Sequence, residues 1–347
     1  MDMTVPEDNF TRALTKLGIQ DDVPTLLQNR ADSSAGLESA RDWLTNRLPV
    51  DKTDPVDVVV LGSYARLEAS GQSDFDYLVI IHALPKNLGV GRQLLTLTDE
   101  YIEEKVSGLS PGKTGLFGEL TSAVELVEKI GLEQDTNQSH SRRLLFLEES
   151  RSIYNPELHR RLMESICDRY LLDYGEPKPG PPRFLLNDVI RYWFTLAVDY
   201  QAKRIRGNNA DWGLRYLKLL ISRKMAFAGT VSSLLLCSEE RKATKEYLKS
   251  EFEKPPFDRL AQLALESDFD KGDALRKAFQ VAETFACSLN DQDIRNELKK
   301  ITAETASSAE GNFKRLREES DNLQEALREV FFESKTLGEK SKRYLVF

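Results

Sequence analysis

At 347 residues the chain has room for two domains with separate cores, and its 40% hydrophobic content, with no apolar run near bilayer length, suits a water-exposed globular fold. A formal charge of −8 argues against the broad basic surface that duplex nucleic acid needs, but leaves room for a local basic pocket around a triphosphate. Cys167, Cys237 and Cys287 are scattered in apolar helical surroundings, and His82, His140 and His159 have no ligand spacing, so neither a disulfide framework nor a histidine-based metal centre is expected.

The opening MDMTVPEDNF is acidic and polar, unlike a secretory or transit segment, so a cytoplasmic protein is expected. Residues 7 to 48 read as helices, the last with Leu37, Ala40, Leu44 and Leu48 on one face, expected to pack on a sheet. A buried strand from Val58 to Leu61 follows, then a Gly62-Ser63 turn, one short helix, and a second strand carrying Asp74 and Asp76 into Tyr77-Leu78-Val79-Ile80-Ile81. Side chains alternate along a strand, so the two acids project from one face, where repulsion disfavours them unless a divalent cation lies between. Gly62 admits a close ligand, and Ser63 with the following amides suits phosphate. Two solvated acids on a strand edge are the plainer alternative.

Gly62-Ser63, nine intervening residues, then Ser73-Asp74-Phe75-Asp76 resembles the G-S…D-x-D signature of the polymerase-β-type nucleotidyltransferase superfamily. The resemblance implies a small mixed sheet, two Mg²⁺ ions (or Mn²⁺) about 4 Å apart, and a nucleoside triphosphate substrate such as ATP or dATP. It also implies a third carboxylate on a later strand. Glu119, in Leu116-Phe117-Gly118-Glu119-Leu120, is the first candidate, although Gly115 and Gly118 weaken a strand and an exposed loop glutamate is an equal reading. Asp135 is the reserve.

A helix from Ser141 places Arg142 and Arg143 in its first turn, where they oppose the helix dipole unless an anion is near. A triphosphate or a neighbouring carboxylate would serve Arg142 equally. The run Gly175 to Pro182 cannot continue a helix and reads as a linker. We therefore expect a catalytic domain over 1–174, a helical domain over 183–333 and a tail over 334–347. The fold class is α/β (α+β), a nucleotidyltransferase core followed by an all-helical second domain.

In the helical half, Asp188/Arg191 and Asp199/Lys203 can bridge locally. The superfamily commonly aims a basic side chain from this region at the triphosphate, which makes Lys203 and Lys218 nucleotide-binding candidates. Asp268-Phe269-Asp270 lacks a buried strand and reads as a helix start. A charged helix spans Ala309 to Glu333, and the chain ends on Arg343-Tyr344-Leu345-Val346-Phe347, an apolar terminus suited to a groove or a sheet edge. A phenol on a tethered tail would also reach an active site at high effective concentration. In this setting Tyr344 resembles the acceptor of the protein-primed Hailong anti-phage nucleotidyltransferases. That resemblance implies dATP as substrate, a single-stranded oligodeoxyadenylate product and a membrane effector as partner. Cyclic-oligonucleotide synthesis, modification of a small molecule, protein or RNA end, and a catalytically silent nucleotide-binding module remain alternatives.

Overall fold

The computed structural model describes residues 8–50, 55–83, 88–106, 116–131, 133–172, 180–205, 211–237 and 241–345. Helices α1 (Asn9–Leu17) and α2 (Pro24–Arg47) lead into β1 (Val56–Leu61), the one-turn α3 (Gly62–Ala65) and β2 (Tyr77–Ile81). Next come α4 (Leu88–Lys105), β3 (Glu119–Ser122), α5 (Ala123–Glu128), α6 (Asn137–Glu148), β4 (Ser150–Ser152) and α7 (Pro156–Tyr170). The remainder is helical: α8 (Arg183–Ile205), α9 (Trp212–Lys218), α10 (Lys224–Leu235), α11 (Arg241–Phe252) and α12 (Pro256–Ala261). Then follow α13 (Gly272–Asn290), α14 (Gln292–Lys300), α15 (Gly311–Arg328) and α16 (Gly338–Tyr344). The protein is thus mainly helical, with a small mixed sheet in its N-terminal half. No helix among the described residues is long and apolar enough to cross a membrane.

The chain divides into two compact units, one of Gln28–Pro177 with Glu240–Pro255, the other of Met1–Leu27, Lys178–Glu239 and Pro256–Phe347. The division between Pro177 and Lys178 falls in the expected linker, of which residues 173–179 lie outside the described residues. Two assignments differ from the sequence expectation. Helix α1 belongs with the helical unit, and α11 belongs with the sheet. Long-range packing decides both.

In the sheet unit the strand order is β3-β2-β1-β4. β1 pairs antiparallel with β2 and β4, and β2 pairs parallel with β3. One face (Val56, Val58, Val60, Tyr77, Val79) packs on Leu37, Ala40 and Leu44 of α2 and on Leu94, Tyr101 and Ile102 of α4, as the apolar stripe of α2 predicts. All six β1 residues are buried, which is why that run is almost purely apolar.

The exception is Asp57. Its Oδ1 accepts from Ser152 Oγ at 2.8 Å and from the Asn155 amide at 2.7 Å, tying β1 to β4 and to the start of α7. Its Oδ2 has no partner. Burial pushes this acid up to about 7, against the lowering effect of those two bonds. Because the folded form holds its proton above the unfolded value, Asp57 should make stability fall as pH rises from about 4 to 7, by up to about 1.4 kcal/mol per unit. Asp57→Asn mimics the protonated acid and keeps Oδ1. Urea unfolding across that range should show the slope in wild type and its loss in the variant.

In the helical unit, Glu283 of α13 accepts the Thr25 and Leu26 amides, both at 2.9 Å, satisfying the first turn of α2. Helices α10 and α12 meet at Gly229, where an added Cβ would overlap the Pro256 carbonyl oxygen and stand 2.9 Å from its carbon. Backbone cannot swing aside as a side chain can. Gly229→Ala should therefore cost about 1–3 kcal/mol in chemical denaturation.

The segment expected as a tail contains a helix, α16. Ser334 Oγ accepts the Leu337 amide at 3.1 Å and the Ser334 carbonyl accepts the Gly338 amide at 2.8 Å, closing a polar turn that leads into α16. Lys340 Nζ then donates to the Leu235 carbonyl at 2.8 Å. Val346 and Phe347 lie outside the described residues.

Candidate active site at the end of the sheet

β1 leaves the sheet at Leu61 and turns at Gly62, whose φ is +68°. The Leu61 amide donates to the Asp76 carbonyl at 2.8 Å, so the ladder's last rung brings Asp76 beside the turn. An ideal Cβ on Gly62 would lie 2.9 Å from Asp76 Oδ2. Both the left-handed backbone and the closeness of the carboxylate require glycine here.

Asp74 and Asp76 precede β2 rather than lying inside it, because β1 has already turned away and offers Asp74 no partner. Burial still alternates through the segment: Asp74 is exposed, Phe75 fully buried and Asp76 half-buried. Phe75 packs against Tyr64 and Tyr101, with ring centroids 4.9 and 5.7 Å away. With Phe75 driven into the core, alternation turns both carboxylates the other way. The central residue of the D-x-D is thus an anchor that aims its neighbours.

The turn is braced from behind. Arg66, directly after α3, is buried and ion-paired with Glu68 (Nε to Oε1, 3.0 Å) and with Glu149. Burial alone would lower its pKa, but the two carboxylates raise it above the ordinary arginine value. Leu67 takes φ +60°, an uncommon conformation for a leucine, while its amide donates to the Tyr64 carbonyl at 3.1 Å. In the loop beyond, the Ser70 amide donates to Ser73 Oγ at 3.0 Å and the Ala69 amide to Ser33 Oγ at 3.0 Å. Arg66 was not among the sequence candidates. The available signal was an arginine closing the Gly-Ser turn two residues before a glutamate.

Glu119 opens β3 opposite Leu78, so by alternation it shares a sheet face with Asp76. It is a strand residue despite Gly118, and its side chain is 49% exposed. Arg142 Nη2 lies 2.5 Å from its Oε2, with Arg142 Nε on the Leu116 carbonyl at 3.1 Å. Of the two partners expected for Arg142, the carboxylate occupies it. The two arginines also sit in the second turn of α6, since the helix begins at Asn137 with Thr136 capping the Ser139 amide at 3.1 Å. Asp135, the reserve ligand, is held by Arg143 in a buried ion pair (Nη2 to Oδ2, 2.8 Å). Its role there is structural.

Among the described residues no three His, Cys, Asp or Glu side chains are grouped to hold a metal ion. The three-carboxylate centre implied by the resemblance is therefore not assembled. What fits a cation is the Asp74/Asp76 pair, oxygen donors of the kind Mg²⁺ takes, beside Gly62.

The other candidates are placed as follows. Ser63 is half-buried in α3, which at one turn offers amides rather than an extended dipole. Lys203 lies within α8, its side chain outside the described residues. Lys218 ends α9, just before a π-helical turn over Leu219–Arg223. Tyr344 ends α16 against the Gly180 backbone, its ring 5.2 Å from the Arg183 guanidinium. No family model matches the chain, and no curated protein matches it either.

Proposed function

We propose that the Asp74/Asp76 end of the sheet transfers a nucleoside monophosphate from an NTP or dNTP to a hydroxyl, with divalent metal as cofactor. The observation that carries this reading is the contact of Gly62 with the Asp76 carboxylate. It makes one site of a turn suited to phosphate and an acid pair suited to a cation. A bound cation would supply charge neutralisation of the phosphate chain. Asp74 and Asp76 would hold it, and Ser63 with the amides around it would orient the β- and γ-phosphates. The acceptor oxygen then bonds to the α-phosphorus, the α–β bridge breaks, pyrophosphate leaves and the hydroxyl proton passes to solvent.

The finer form of the proposal has Tyr344 as the first acceptor, with a single-stranded oligodeoxyadenylate as product. Tyr344 is half-buried and packs against Gly180 and Arg183 within the helical unit. Intact-mass spectrometry after incubation with a dNTP mixture and Mg²⁺ tests it. A ladder of nucleotide increments that vanishes in Tyr344→Phe is expected; free products with no protein adduct would assign another acceptor.

One observation favours a second reading, a nucleotide-binding module without turnover: Glu119 is already neutralised by Arg142. Mg²⁺-dependent pyrophosphate release by the wild-type protein would eliminate it.

A further inference from the structure

The helical unit contains a groove of about 310 Å³, lined entirely by residues of that unit. Two of its walls are matching stripes at helical spacing. Lys224, Phe227, Ala228 and Val231 form one face of α10, while Gln324, Leu327, Arg328 and Phe331 form one face of α15 and the turn after it. On the α8 side Trp193 stacks on Phe227 with ring centroids 5.2 Å apart, and Phe194 stands beside it, 61% exposed.

Two helix irregularities frame the groove. One π-helical turn, Leu219–Arg223, ends where Lys224 begins its stripe, and another, Glu329–Glu333, brings Phe331 and Phe332 into the lining. Such turns interrupt the regular helical ladder and are frequent at functional sites.

The available polar groups gather at one end. Lys224 Nζ donates to Gln324 Oε1 at 2.9 Å, joining the first members of the two stripes. An ammonium has three donors, and this one meets no carboxylate within ion-pair distance among the described residues. Asp321, which acts on it from further off, is paired with Arg317 at 3.7 Å. The same bond turns the NH₂ of the Gln324 amide away from Lys224, and that NH₂ has no protein acceptor among the described residues. Burial holds the Lys224 pKa below the ordinary lysine value, as expected of a cation short of counter-charge. Arg328 differs, being committed to Glu325 at 2.9 Å and to Glu333. From Lys224 to Val231 the α10 wall runs about 10 Å, and beyond the ammonium it is apolar.

We propose that this groove binds the monoanion of an unbranched medium-chain carboxylic acid. Lys224 and the Gln324 amide hold the carboxylate, and the chain lies along α10 over Phe227, Ala228 and Val231, with Phe331 opposite. One ammonium and one neutral amide match a single negative charge. A straight chain matches a groove about two helical turns long. The site is independent of the transfer reaction proposed above.

Isothermal titration of the full-length protein with decanoate, kept below micelle formation, tests it, with acetate, decan-1-ol and decyl phosphate as controls. Decanoate should bind saturably and about tenfold or more tighter than either acetate or decan-1-ol, a comparison that needs no variant. Lys224→Met keeps the apolar stem and removes the charge. It should weaken decanoate about tenfold or more and leave decan-1-ol unchanged. Phe194→Ala, at an exposed position, should weaken decanoate and decan-1-ol alike, by about threefold. The proposal is overturned if decanoate does not bind saturably at millimolar concentration, or if Lys224→Met binds it as tightly as the wild type. Tighter binding of decyl phosphate than of decanoate would equally overturn it, by assigning the end of the groove to a phosphate.

Discussion

Asp76→Asn should reduce nucleotidyl transfer about a thousandfold or more at saturating nucleotide while shifting stability by less than about 1 kcal/mol. The substitution is isosteric, so the approach to Gly62 and the backbone bond from Leu61 survive. Only the charge is removed, from the one carboxylate the fold presses against the turn. Gly62→Ala approaches the same site from the other side. Its methyl would meet Asp76 Oδ2 at 2.9 Å and its backbone would keep an unfavourable left-handed conformation. Activity should fall at least tenfold, with about 1–2 kcal/mol lost from stability. Turnover measured beside urea unfolding separates the two quantities. A Gly62→Ala enzyme with full turnover would show that the contact is only structural.

The largest stability effect should come from Arg143→Met. Arg143 is fully buried and donates Nη1 and Nη2 to the two oxygens of Asp135 at 3.1 and 2.8 Å, and Nε to Tyr170 Oη at 2.8 Å. The Gly131 amide also donates to Asp135 Oδ2, at 3.1 Å. Deleting the guanidinium leaves a carboxylate out of water without its ion-pair partner, which costs about 3–5 kcal/mol. Replacing both partners with apolar residues, Arg143→Met with Asp135→Leu, should recover most of the loss, because no buried charge then remains. Burial by itself would raise the Asp135 pKa, but Arg143 and the Gly131 amide outweigh it and hold the acid below its usual range. The stabilisation is therefore complete above the unfolded carboxylate value and is lost as pH falls through the depressed one. The gap between wild type and Arg143→Met, followed by urea unfolding, should narrow under acid.

The site was legible in sequence where its determinants are local. Gly62 and Asp76 are only fourteen positions apart, and the apolar runs on either side allow few arrangements besides a strand, a turn and a second strand. Phe75 was visible as a residue between two acids, but its part in aiming them depends on Tyr64 and Tyr101, which only the folded core supplies. Determinants distant in sequence were not legible. Arg66 is joined to Glu149, 83 residues on, and nothing near Arg66 announces that partner. Helix α6 starts four residues before the expected point because Thr136 caps a first turn of Asn137, Gln138 and Ser139, a polar stretch that reads as a loop. A polar stretch likewise hid α16, which follows a turn closed by Ser334. The allocation of α1 and α11 between units follows from tertiary packing, which hydrophobic periodicity does not encode.

The central claim is that Asp74 and Asp76 jointly hold a divalent cation next to a turn that receives a triphosphate. Electron paramagnetic resonance of Mn²⁺, titrated into the protein with a non-hydrolysable nucleoside triphosphate, tests this without requiring turnover. Saturable Mn²⁺ binding in the wild type that is lost in both Asp74→Asn and Asp76→Asn is the predicted result. Equal Mn²⁺ affinity in all three proteins would contradict it.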